Sequence, residues 1–428
     1  MTSVVLLMFA AFFILIAVGT PIVGSIGLAV LLNGTLSGDV TAAYVARAMI
    51  QALDSFTILA VPLFILAGEI MGQGGISKRL FNFANACLGR FTGGVPMATV
   101  LTCMLFGAIS GSGQATFAAV GSIMIPAMEE QGYDKRFVTG VTAASGGLGV
   151  LIPPSLPMVM FAITVSTVSI GAMLTAGILP GVLCGVCLMG YCYFYCKRHP
   201  IQIKDQERTM GILESIREGF WALLTPVIIL GGIYGGVFTA TEAAAAACVY
   251  ALLVSLFIYR TVRLRDLPKI LLRAAALNAP ILIIVSAATV LGRVLTLQNI
   301  PEMLAASILS LTSSRWMILL LLNILLLIVG MLMETLSAIT ILAPILLPVA
   351  IGIGVNPIHF GVIMVANLAI GFITPPVGTN LYTAASITGI PVKDLTKHIV
   401  GPVLALLIAQ LFIVLCPPLS TFLPGLIA

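Results

Sequence analysis

Two segments rich in Gly, Pro and Ser interrupt this chain where the flanking sequence is apolar enough to form membrane-spanning helices. The first is Ser110-Gly-Ser-Gly113 and the second is Ile152-Pro-Pro-Ser155. Proline removes a backbone donor and glycine weakens a helix, so both segments predict a helix break. Because lipid offers no hydrogen-bond partners, a chain with such breaks must satisfy the freed backbone groups inside the protein.

The same Gly and Pro pattern recurs in the second half of the chain at one constant offset, called here the repeat offset. With 42 Gly and 23 Pro in 428 residues, six matches at one ungapped offset indicate a duplication. The matched residues are Pro126, Pro153, Pro154, Pro180, Gly132 and Gly149, which pair with Pro348, Pro375, Pro376, Pro402, Gly354 and Gly371. We predict a first repeat at residues 1–198, a cytoplasmic connection at 199–216 and a second repeat at 217–428.

The composition indicates that lipid surrounds most of the chain. Hydrophobic residues make up 60% of the sequence and charged residues only 8%, whereas soluble domains carry about a quarter charged residues. Apolar runs recur from end to end, which predicts an all-α polytopic membrane protein embedded in the lipid bilayer. Its first long helix is expected at residues 4–34, kinked at Pro21. The net charge of +5 is spread over loops and requires no nucleic-acid partner.

Each repeat is predicted to contain a re-entrant helical hairpin followed by a broken transmembrane helix. The first hairpin is expected at about 95–128, because each arm is roughly 22 Å long and a hydrocarbon core is about 30 Å thick. A single long tilted helix is the alternative. The first broken helix is expected at about 137–167, and the second repeat's hairpin and broken helix at about 317–350 and about 359–386. This gives about nine full crossings and two hairpins.

The loop charges predict that the two repeats are inverted. Basic clusters at Lys78–Arg90 and Lys135–Arg136 flank the first hairpin, and a hairpin places both on the cytoplasmic side. The equivalent loop of the second repeat, Gly352–Phe360, has no acidic or basic residue apart from the titratable His359. Opposite entry of the second hairpin explains this asymmetry, and such repeats bind ligands at their interface.

The breaks are suited to binding ions of both signs. Carbonyls at the end of one half-helix attract Na⁺, and N–H groups at the start of the next attract an anion. Candidate cation ligands are Ser110, Gly111, Ser112, Gly149, Ile152, Pro154, Met333, Glu334, Thr335, Thr374 and Gly378. Candidate substrate-binding residues are Ser155, Gly113, Gln114, Thr379 and Asn380. The alternative is that the breaks are kinks whose small residues only pack helices.

Three charged residues in apolar sequence have more than one interpretation. Glu334 either faces the cation site, carries a proton or accepts hydrogen bonds from backbone N–H groups at the hairpin tip. Glu69 lies closer to a helix end, where a solvated position is expected. Arg293 is a potential partner for an acidic substrate, but its place at the end of a span favours an interfacial arginine that reaches towards water.

These motifs together resemble the large membrane subunit of tripartite ATP-independent periplasmic (TRAP) transporters over essentially the whole chain. The blocks that carry the resemblance are Ser110-Gly-Ser-Gly-Gln-Ala115, Ile125-Pro-Ala-Met128, Gly149-Val-Leu-Ile-Pro-Pro-Ser155, Ala176-Gly-Ile-Leu-Pro-Gly181, Phe360-Gly361 and Thr374-Pro-Pro-Val-Gly378. The chain departs from the family at Gly113-Gln114 of the first tip. It also departs at Glu334, where the family commonly has aspartate.

The resemblance implies a Na⁺-coupled importer of small organic acids in a bacterial inner membrane, with two Na⁺ sites. The acids expected are dicarboxylates, sugar acids, sialic acids or keto acids. It also implies a small membrane (Q) subunit, a periplasmic substrate-binding protein and an elevator mechanism, in which the hairpins and broken helices slide against a scaffold.

Two other classes of function are open to a chain with these features. A stand-alone Na⁺-coupled anion symporter or a Na⁺/H⁺ antiporter on a similar plan needs no binding protein. An intramembrane serine protease would need Ser112 and a histidine, but the three histidines are expected near helix ends. We therefore expect no enzymatic activity.

Overall fold

The computed structural model describes residues 2–38, 40–200, 211–300, 303, 314–375 and 378–427. These residues fold into helices joined by short turns, so the prediction of an all-helical chain is confirmed for this part. Most of the predicted connection at 199–216 lies outside the described residues. Its last part is helical, because Ile212 begins a helix.

The described helices follow one another closely along the chain. In order they are α1 (Thr2–Ala17), α2 (Ile22–Ser37), α3 (Ala42–Leu53), α4 (Ala60–Gln73), α5 (Ile76–Leu88), α6 (Gly94–Ser110), α7 (Gly113–Glu130), α8 (Lys135–Gly146), α9 (Leu156–Val165), α10 (Ile170–Ala176), α11 (Ile178–Arg198), α12 (Ile212–Tyr234), α13 (Ala240–Leu253), α14 (Leu267–Leu297), α15 (Arg315–Leu332), α16 (Thr335–Gly352), α17 (Pro357–Gly371), α18 (Thr379–Thr388), α19 (Val392–Leu415) and α20 (Pro418–Ile427). Short 3₁₀ segments occur at Gly147–Val150 and Leu264–Asp266, and a π-helical turn at Val254–Ile258.

The prediction of one kinked helix over residues 4–34 is wrong, because α1 and α2 are separate helices that pack against each other. Gly19 between them adopts φ +91°, in the left-handed region that a glycine enters without steric cost. Pro21 then directly precedes α2. The chain therefore reverses at Gly19–Pro21 instead of bending slightly.

Several helices are long and apolar enough to cross a bilayer. Among the described residues there are seven, or eight if α4 and α5, bent by 72° relative to each other, form one broken span. The outer surface is apolar as well: on α15, Trp316, Leu320 and Leu321 are each more than half exposed. Such a surface is stable in lipid and not in water, which makes this a polytopic membrane protein.

Helix boundaries recur along the chain at the same repeat offset as the Gly and Pro pattern. The first helical residues Gly113 of α7 and Thr335 of α16 are separated by the same distance in sequence as Pro126 and Pro348. The first residues of α8 and α17 are separated by the same offset, and so are the first residues of α10 and α19. The two parts of the sequence whose Gly and Pro residues match therefore also form helices that begin at matching positions.

The helices divide into two packed groups. The hairpin group (α6–α11 and α15–α20) combines helices from both halves of the chain, since α9 packs on α16 and both α8 and α11 pack on α19. In the outer group (α1–α4 and α12–α14), α4 packs on α13 and on α14, and α3 packs on α14. Helix α5 contacts both groups through α6 and α12. The main contact of α14 with the hairpin group is through α16.

Candidate functional site

The first hairpin has its tip at Gly111 and Ser112, between α6 and α7. Gly111 ends α6 in a left-handed conformation, φ +62°, and Ser112 is the extended N-cap of α7. The turn is held by hydroxyls: Ser110 Oγ lies 2.8 Å from Thr116 Oγ1, which donates to the Ser112 carbonyl at 2.7 Å. The tip thus satisfies its own freed backbone groups with neighbouring side chains.

The first broken helix contacts this tip directly. Helix α8 gives way to the 3₁₀ segment Gly147–Val150, and after a turn and bends at 151–154 Ser155 caps α9. The Ser155 hydroxyl donates to the Val150 carbonyl across the break. Leu156 N donates to the Gly111 carbonyl at 3.1 Å, so the tip and the break share a backbone hydrogen bond.

Glycines allow the tip and the break to approach each other closely. A Cβ atom on Gly107 would lie 2.6 Å from the Gly149 Cα, and one on Gly149 would lie 2.5 Å from Thr116 Oγ1. A Cβ on Gly111 would lie 2.6 Å from the Pro154 carbonyl oxygen. Overpacked contacts of this kind typically cost about 1–3 kcal/mol, so larger residues are excluded at these glycines.

The second hairpin has its tip at Met333 and Glu334, between α15 and α16. Met333 is extended, φ −127°, and Glu334 is the N-cap of α16. Glu334 Oε2 accepts hydrogen bonds from Leu336 N at 2.9 Å and Ser337 N at 3.2 Å. In the structure the Glu334 carboxylate therefore accepts hydrogen bonds from backbone N–H groups at the hairpin tip, which is one of the three roles expected from the sequence. A negative charge there also complements the helix dipole.

The second broken helix resembles the first in its link to the hairpin. Residues 376–377 lie outside the described residues, and Gly378 adopts φ +46°. Gly378 N donates to the Met331 carbonyl at 3.0 Å. Its donor matches Leu156 at the repeat offset, but its acceptor lies two residues before Met333, the residue that matches Gly111. Thr374 Oγ1 donates to a carbonyl one turn earlier at 2.6 Å.

Three buried side-chain oxygens near the second break have no hydrogen-bond partner within the described part of the chain. They are Thr335 Oγ1, Thr379 Oγ1 and Asn380 Oδ1. The amide nitrogen of Asn380 donates to the Ala143 carbonyl at 2.8 Å and thereby joins α18 to α8. Leaving a buried polar atom unpaired costs about 1–3 kcal/mol, so these oxygens indicate a place for a ligand.

The two hairpin tips meet at a small cavity of about 30 Å³, called here the tip cavity. Ser112 and Gly113 line it from the first tip, Glu334 and Thr335 from the second, and Phe372 from the second break. A water molecule needs about 10–15 Å³ of such volume. The tip cavity therefore has room for one particle of the size of a water molecule or a small ion.

A larger cavity of about 440 Å³, the Glu69 cavity, lies beside the tips. It is lined by Gln114 and Glu334 of the tips, by Glu69 of α4 and by the α14 segment 276–284. Two of these residues are carboxylates, and the described wall contains no Lys or Arg. Arg273 of α14 is close enough to Glu69 to interact with it electrostatically.

A third cavity of about 550 Å³, the Arg293 cavity, lies further along α14. Residues of α14 and α16 form the partition between it and the Glu69 cavity. On α14, Ile284 lines the Glu69 cavity and its neighbour Val285 lines the Arg293 cavity. On α16, Leu336 lines the Glu69 cavity, and Thr340, one turn later, lines the Arg293 cavity.

The structure brings only part of the predicted site to these cavities. Lining residues among the candidates are Ser110, Gly111, Ser112, Gly113, Gln114, Glu334 and Thr335. Candidates that line none of the three cavities are Gly149, Ile152, Pro154, Ser155, Met333, Thr374, Gly378, Thr379 and Asn380. Most of this second set packs behind the tips.

The sequence interpretation missed two residues of the site. Thr116 holds the first tip, and its signal was the spacing of four residues from Ser112, which puts its hydroxyl within reach of the Ser112 carbonyl. Glu69 is half-buried and lines a cavity, although a solvated helix end was expected for it. Its signal was a carboxylate within apolar sequence, which in membrane proteins commonly marks function.

Comparison with known proteins identifies relatives along nearly the whole chain. The family model described as the DctM component of tripartite ATP-independent periplasmic transporters matches residues 9–419. The C4-dicarboxylate TRAP transporter large permease protein of Pseudomonas aeruginosa is 42% identical over 94% of both chains. The sialic acid large permease of Vibrio cholerae is 38% identical over 90% of both. The resemblance predicted from the motifs is thereby confirmed.

A further relative is longer than this chain. The isethionate TRAP transporter permease protein DctMQ of Oleidesulfovibrio alaskensis is 44% identical over 98% of this chain, which spans 65% of that relative's length. All three relatives are named as permeases and none as an enzyme.

Two solved structures share the fold at low sequence identity. The YdaH transporter of Alcanivorax borkumensis has a TM-score of 0.59 at 15% identity, over 89% of this chain and 91% of its own. MtrF of Neisseria gonorrhoeae has a TM-score of 0.56 at 12% identity, over 87% and 84%. The chain thus has a transporter fold, and it belongs to the family of DctM components, the large permease subunits of tripartite ATP-independent periplasmic transporters, as a multi-pass inner-membrane protein.

Proposed function

We propose that this protein is the permease subunit of a Na⁺-coupled importer of small organic anions. The substrate would be a dicarboxylate, sugar acid, sialic acid, keto acid or sulfonate. The relatives are named for C4-dicarboxylate, sialic acid and isethionate, which are all small acids. A periplasmic substrate-binding protein delivers the anion, and a small membrane (Q) subunit completes the complex.

The tip cavity carries this proposal. It has room for one small particle between the two tips, and the unpaired Thr335 Oγ1 belongs to a residue of its wall. Hydroxyl, carboxylate and carbonyl oxygens are ligands suited to a hard cation. Thr335 and Glu334 from one tip, with Ser112 and Gly113 from the other, would hold one transported Na⁺.

A second Na⁺ site is proposed at the second break. Thr379 Oγ1 and Asn380 Oδ1 are buried there without partners in the described part of the chain. The Thr374 hydroxyl proton is already donated to a helix carbonyl, which leaves its oxygen lone pairs for a cation. Gly378, next to these residues, permits close backbone approach.

Electrostatics in the Glu69 cavity supports coupling of the anion to Na⁺. Glu69 and Glu334 both line this cavity, so an anion that enters it is repelled by two carboxylates. Na⁺ bound at the tips offsets this repulsion. Reciprocal linkage then requires that Na⁺ raises the affinity for the anion and that the anion raises the affinity for Na⁺.

Inverted repeats and an elevator mechanism complete the proposal. The helix starts matched at the repeat offset support a duplication, and the loop charges support inversion. Lys269 and Arg273 place the start of α14 on the cytoplasmic side, so Arg293 lies towards the periplasm. The hairpin group would slide along α14 and carry the site between the two sides.

Uptake into proteoliposomes tests this function. The permease is reconstituted with its small subunit, and its binding protein is loaded in turn with labelled succinate, isethionate or sialic acid. We expect uptake of at least one anion under an inward Na⁺ gradient, and none under an equal K⁺ gradient.

Two results would contradict parts of the proposal. Uptake of every tested anion without any dependence on Na⁺ argues against cation coupling. Equal uptake with and without the binding protein argues against the tripartite mechanism and for a stand-alone symporter.

A further inference from the structure

The Arg293 cavity has no role in the site described so far. Its walls come from both helix groups: α3 and α14 of the outer group, and α9 and α16 of the hairpin group. Its volume of about 550 Å³ is in the range of small-molecule sites, which run from about 300 to 1,000 Å³. The uncharged polar side chains in the wall are Tyr44, Gln51, Ser55, Thr164, Ser166, Thr289, Thr296 and Thr340.

Arg293 gives this cavity a single, unpaired positive charge. Of the described wall residues it alone is charged, and no carboxylate of the described chain lies within 4.0 Å of it. Arg293 Nη1 donates to Gln51 Oε1 at 3.5 Å, a long and weak contact. The Arg293 side chain is exposed, and it lines the cavity from a position that water can reach.

The two ends of α14 differ in charge. At the Glu69 cavity, Arg273 interacts with the Glu69 carboxylate, and Glu334 adds a second negative charge. At the Arg293 cavity the guanidinium has no acidic partner in the described chain. An anion is therefore attracted at the Arg293 end and repelled at the Glu69 end.

The hydrogen-bonding geometry of the Arg293 guanidinium indicates which class of ligand this cavity would bind. A guanidinium donates two parallel hydrogen bonds to one carboxylate, and its planar fork suits such bidentate contacts better than a lysine ammonium does. A sulfonate also presents several acceptor oxygens. The wall amide of Gln51 supplies further N–H donors beside Arg293.

We propose that Arg293 binds the acid group of the transported anion when the hairpin group lies at the Arg293 end of α14. This inference rests on the proposed Na⁺-coupled uptake. Thirteen residues, or about 20 Å of helix, separate Arg293 from Pro280 in the wall of the Glu69 cavity. Movement over that distance takes the anion from an unpaired arginine to a cavity lined by two carboxylates, so it binds on the periplasmic side and is released on the cytoplasmic side.

Substitution of Arg293 tests the contact by its effect on transport kinetics. Arg293→Gln and Arg293→Lys are assayed in proteoliposomes with the binding protein, small subunit and saturating Na⁺, using succinate and isethionate. We expect Arg293→Gln to raise KM about tenfold with kcat changed less than about twofold, and Arg293→Lys to restore part of the loss. Arg47→Gln, on α3 but outside the cavity wall, is the matched control and should leave KM unchanged.

A second measurement needs no change at Arg293. Ser55 lines the same cavity, so Ser55→Cys is labelled with a membrane-impermeant maleimide in the otherwise unaltered complex. Succinate with Na⁺ should slow the labelling, and Arg293→Gln should abolish this protection. The affinity of the binding protein for the permease should be the same in both.

The outcomes separate this inference from the proposed function. If the unaltered complex shows no Na⁺-dependent uptake, the proposed function fails. If that complex transports but Arg293→Gln keeps its KM and succinate does not protect Cys at position 55, only the inference fails. A loss of binding-protein affinity in Arg293→Gln overturns it as well, because Arg293 would then dock the protein partner.

Discussion

Thr335 differs from the other buried threonines of the hairpin group in what its hydroxyl does. Thr102 and Thr142 each donate to the carbonyl four residues earlier, at 2.7 and 2.6 Å. Thr335 is the first residue of α16 and has no such carbonyl within its helix, and its Oγ1 is buried without a partner in the described chain. Its oxygen is therefore the hydroxyl that the proposed cation site would use.

The first prediction concerns the removal of this oxygen. Thr335→Val should raise the Na⁺ concentration for half-maximal uptake about tenfold, which corresponds to about 1.4 kcal/mol. Thermal stability without Na⁺ should be unchanged or higher, because the substitution removes an unsatisfied polar atom. Uptake against Na⁺ concentration and thermal unfolding in detergent provide the two measurements.

Thr142→Val is the control for this prediction. It removes a buried hydroxyl of the same group that is already paired, so Na⁺ dependence should not change while stability falls by about 0.5–1.5 kcal/mol. An unaltered Na⁺ response in Thr335→Val would show that its oxygen is not a ligand.

At the residue scale, sequence reasoning locates both hairpin tips but not the state of their side chains. It points to Ser112 and Glu334, and both cap a helix. Thr335 and Thr374 are equal candidates for the cation site in the sequence, yet Thr374 donates to a helix carbonyl and Thr335 does not. That difference depends on helix position and rotamer, which a pattern of residue types does not contain.

At the element scale, the contact between α14 and α16 joins the two helix groups. A Cβ atom on Gly292 would lie 3.8 Å from Pro344 Cγ, in the wall of the Arg293 cavity. The two residues are therefore neighbours, and cysteines at these positions test the contact through a disulfide, which forms when the Cβ atoms lie about 3.5–4.5 Å apart. The elevator mechanism requires that these two helices slide past each other.

The second prediction is that a Gly292→Cys, Pro344→Cys double variant loses uptake when it is oxidised and regains it when it is reduced. The cross-link fixes α16 against α14 and so prevents the proposed movement. Each single cysteine variant, treated identically, controls for the eight native cysteines. Full uptake by a cross-linked double variant would mean that α14 and α16 do not move relative to each other.

The elements show where a sequence can predict helices and where it cannot. The arms of both hairpins are predictable because Gly, Pro and hydroxyl residues mark their ends. The reversal between α1 and α2 is not, because both helices are uniformly apolar and the turn depends on the backbone conformation of Gly19. In lipid, hydrophobicity does not show which face of a helix meets a neighbour.

At the scale of the whole molecule, the charges around the Glu69 cavity connect the two ligands. Glu69 comes from the outer group and Glu334 from the hairpin group, so the two carboxylates face one space only when the groups are assembled. In the proposed mechanism, their repulsion of an anion is the physical reason for which Na⁺ binding would favour substrate binding.

The third prediction is that succinate stabilises the complex only when Na⁺ is present. Ligand at a hundred times its Kd adds about 2.7 kcal/mol to the free energy of unfolding, which is visible as a rise in Tm. With K⁺ or choline at equal ionic strength we expect no shift. Glu69→Gln removes one repulsive charge and should allow the shift at a lower Na⁺ concentration.

Equal shifts with Na⁺ and with choline would show that the anion binds independently of the cation. If Glu69→Gln needs the same Na⁺ concentration as the unaltered protein to show the Tm shift, the Glu69 charge does not contribute to the coupling between Na⁺ and the anion.

Part of the overall architecture can be predicted from the sequence. The constant offset between matched Gly and Pro residues indicates the duplication, because both copies need a break at the same depth. The three cavities are not predictable, since their walls combine residues as distant as Tyr44 and Pro344. Local periodicity does not say which helices become neighbours.

The partition at Ile284 and Val285 has an electrical consequence. In the proposed mechanism the Glu69 cavity faces the cytoplasm and the Arg293 cavity faces the periplasm, so water filling both would leave this partition as the main barrier between the two solutions. The membrane voltage then falls mostly across this short distance, at about 2.3 kcal/mol per unit charge for each 100 mV. A sodium ion carried across this partition would therefore cross nearly the whole membrane voltage in a movement of a few ångströms.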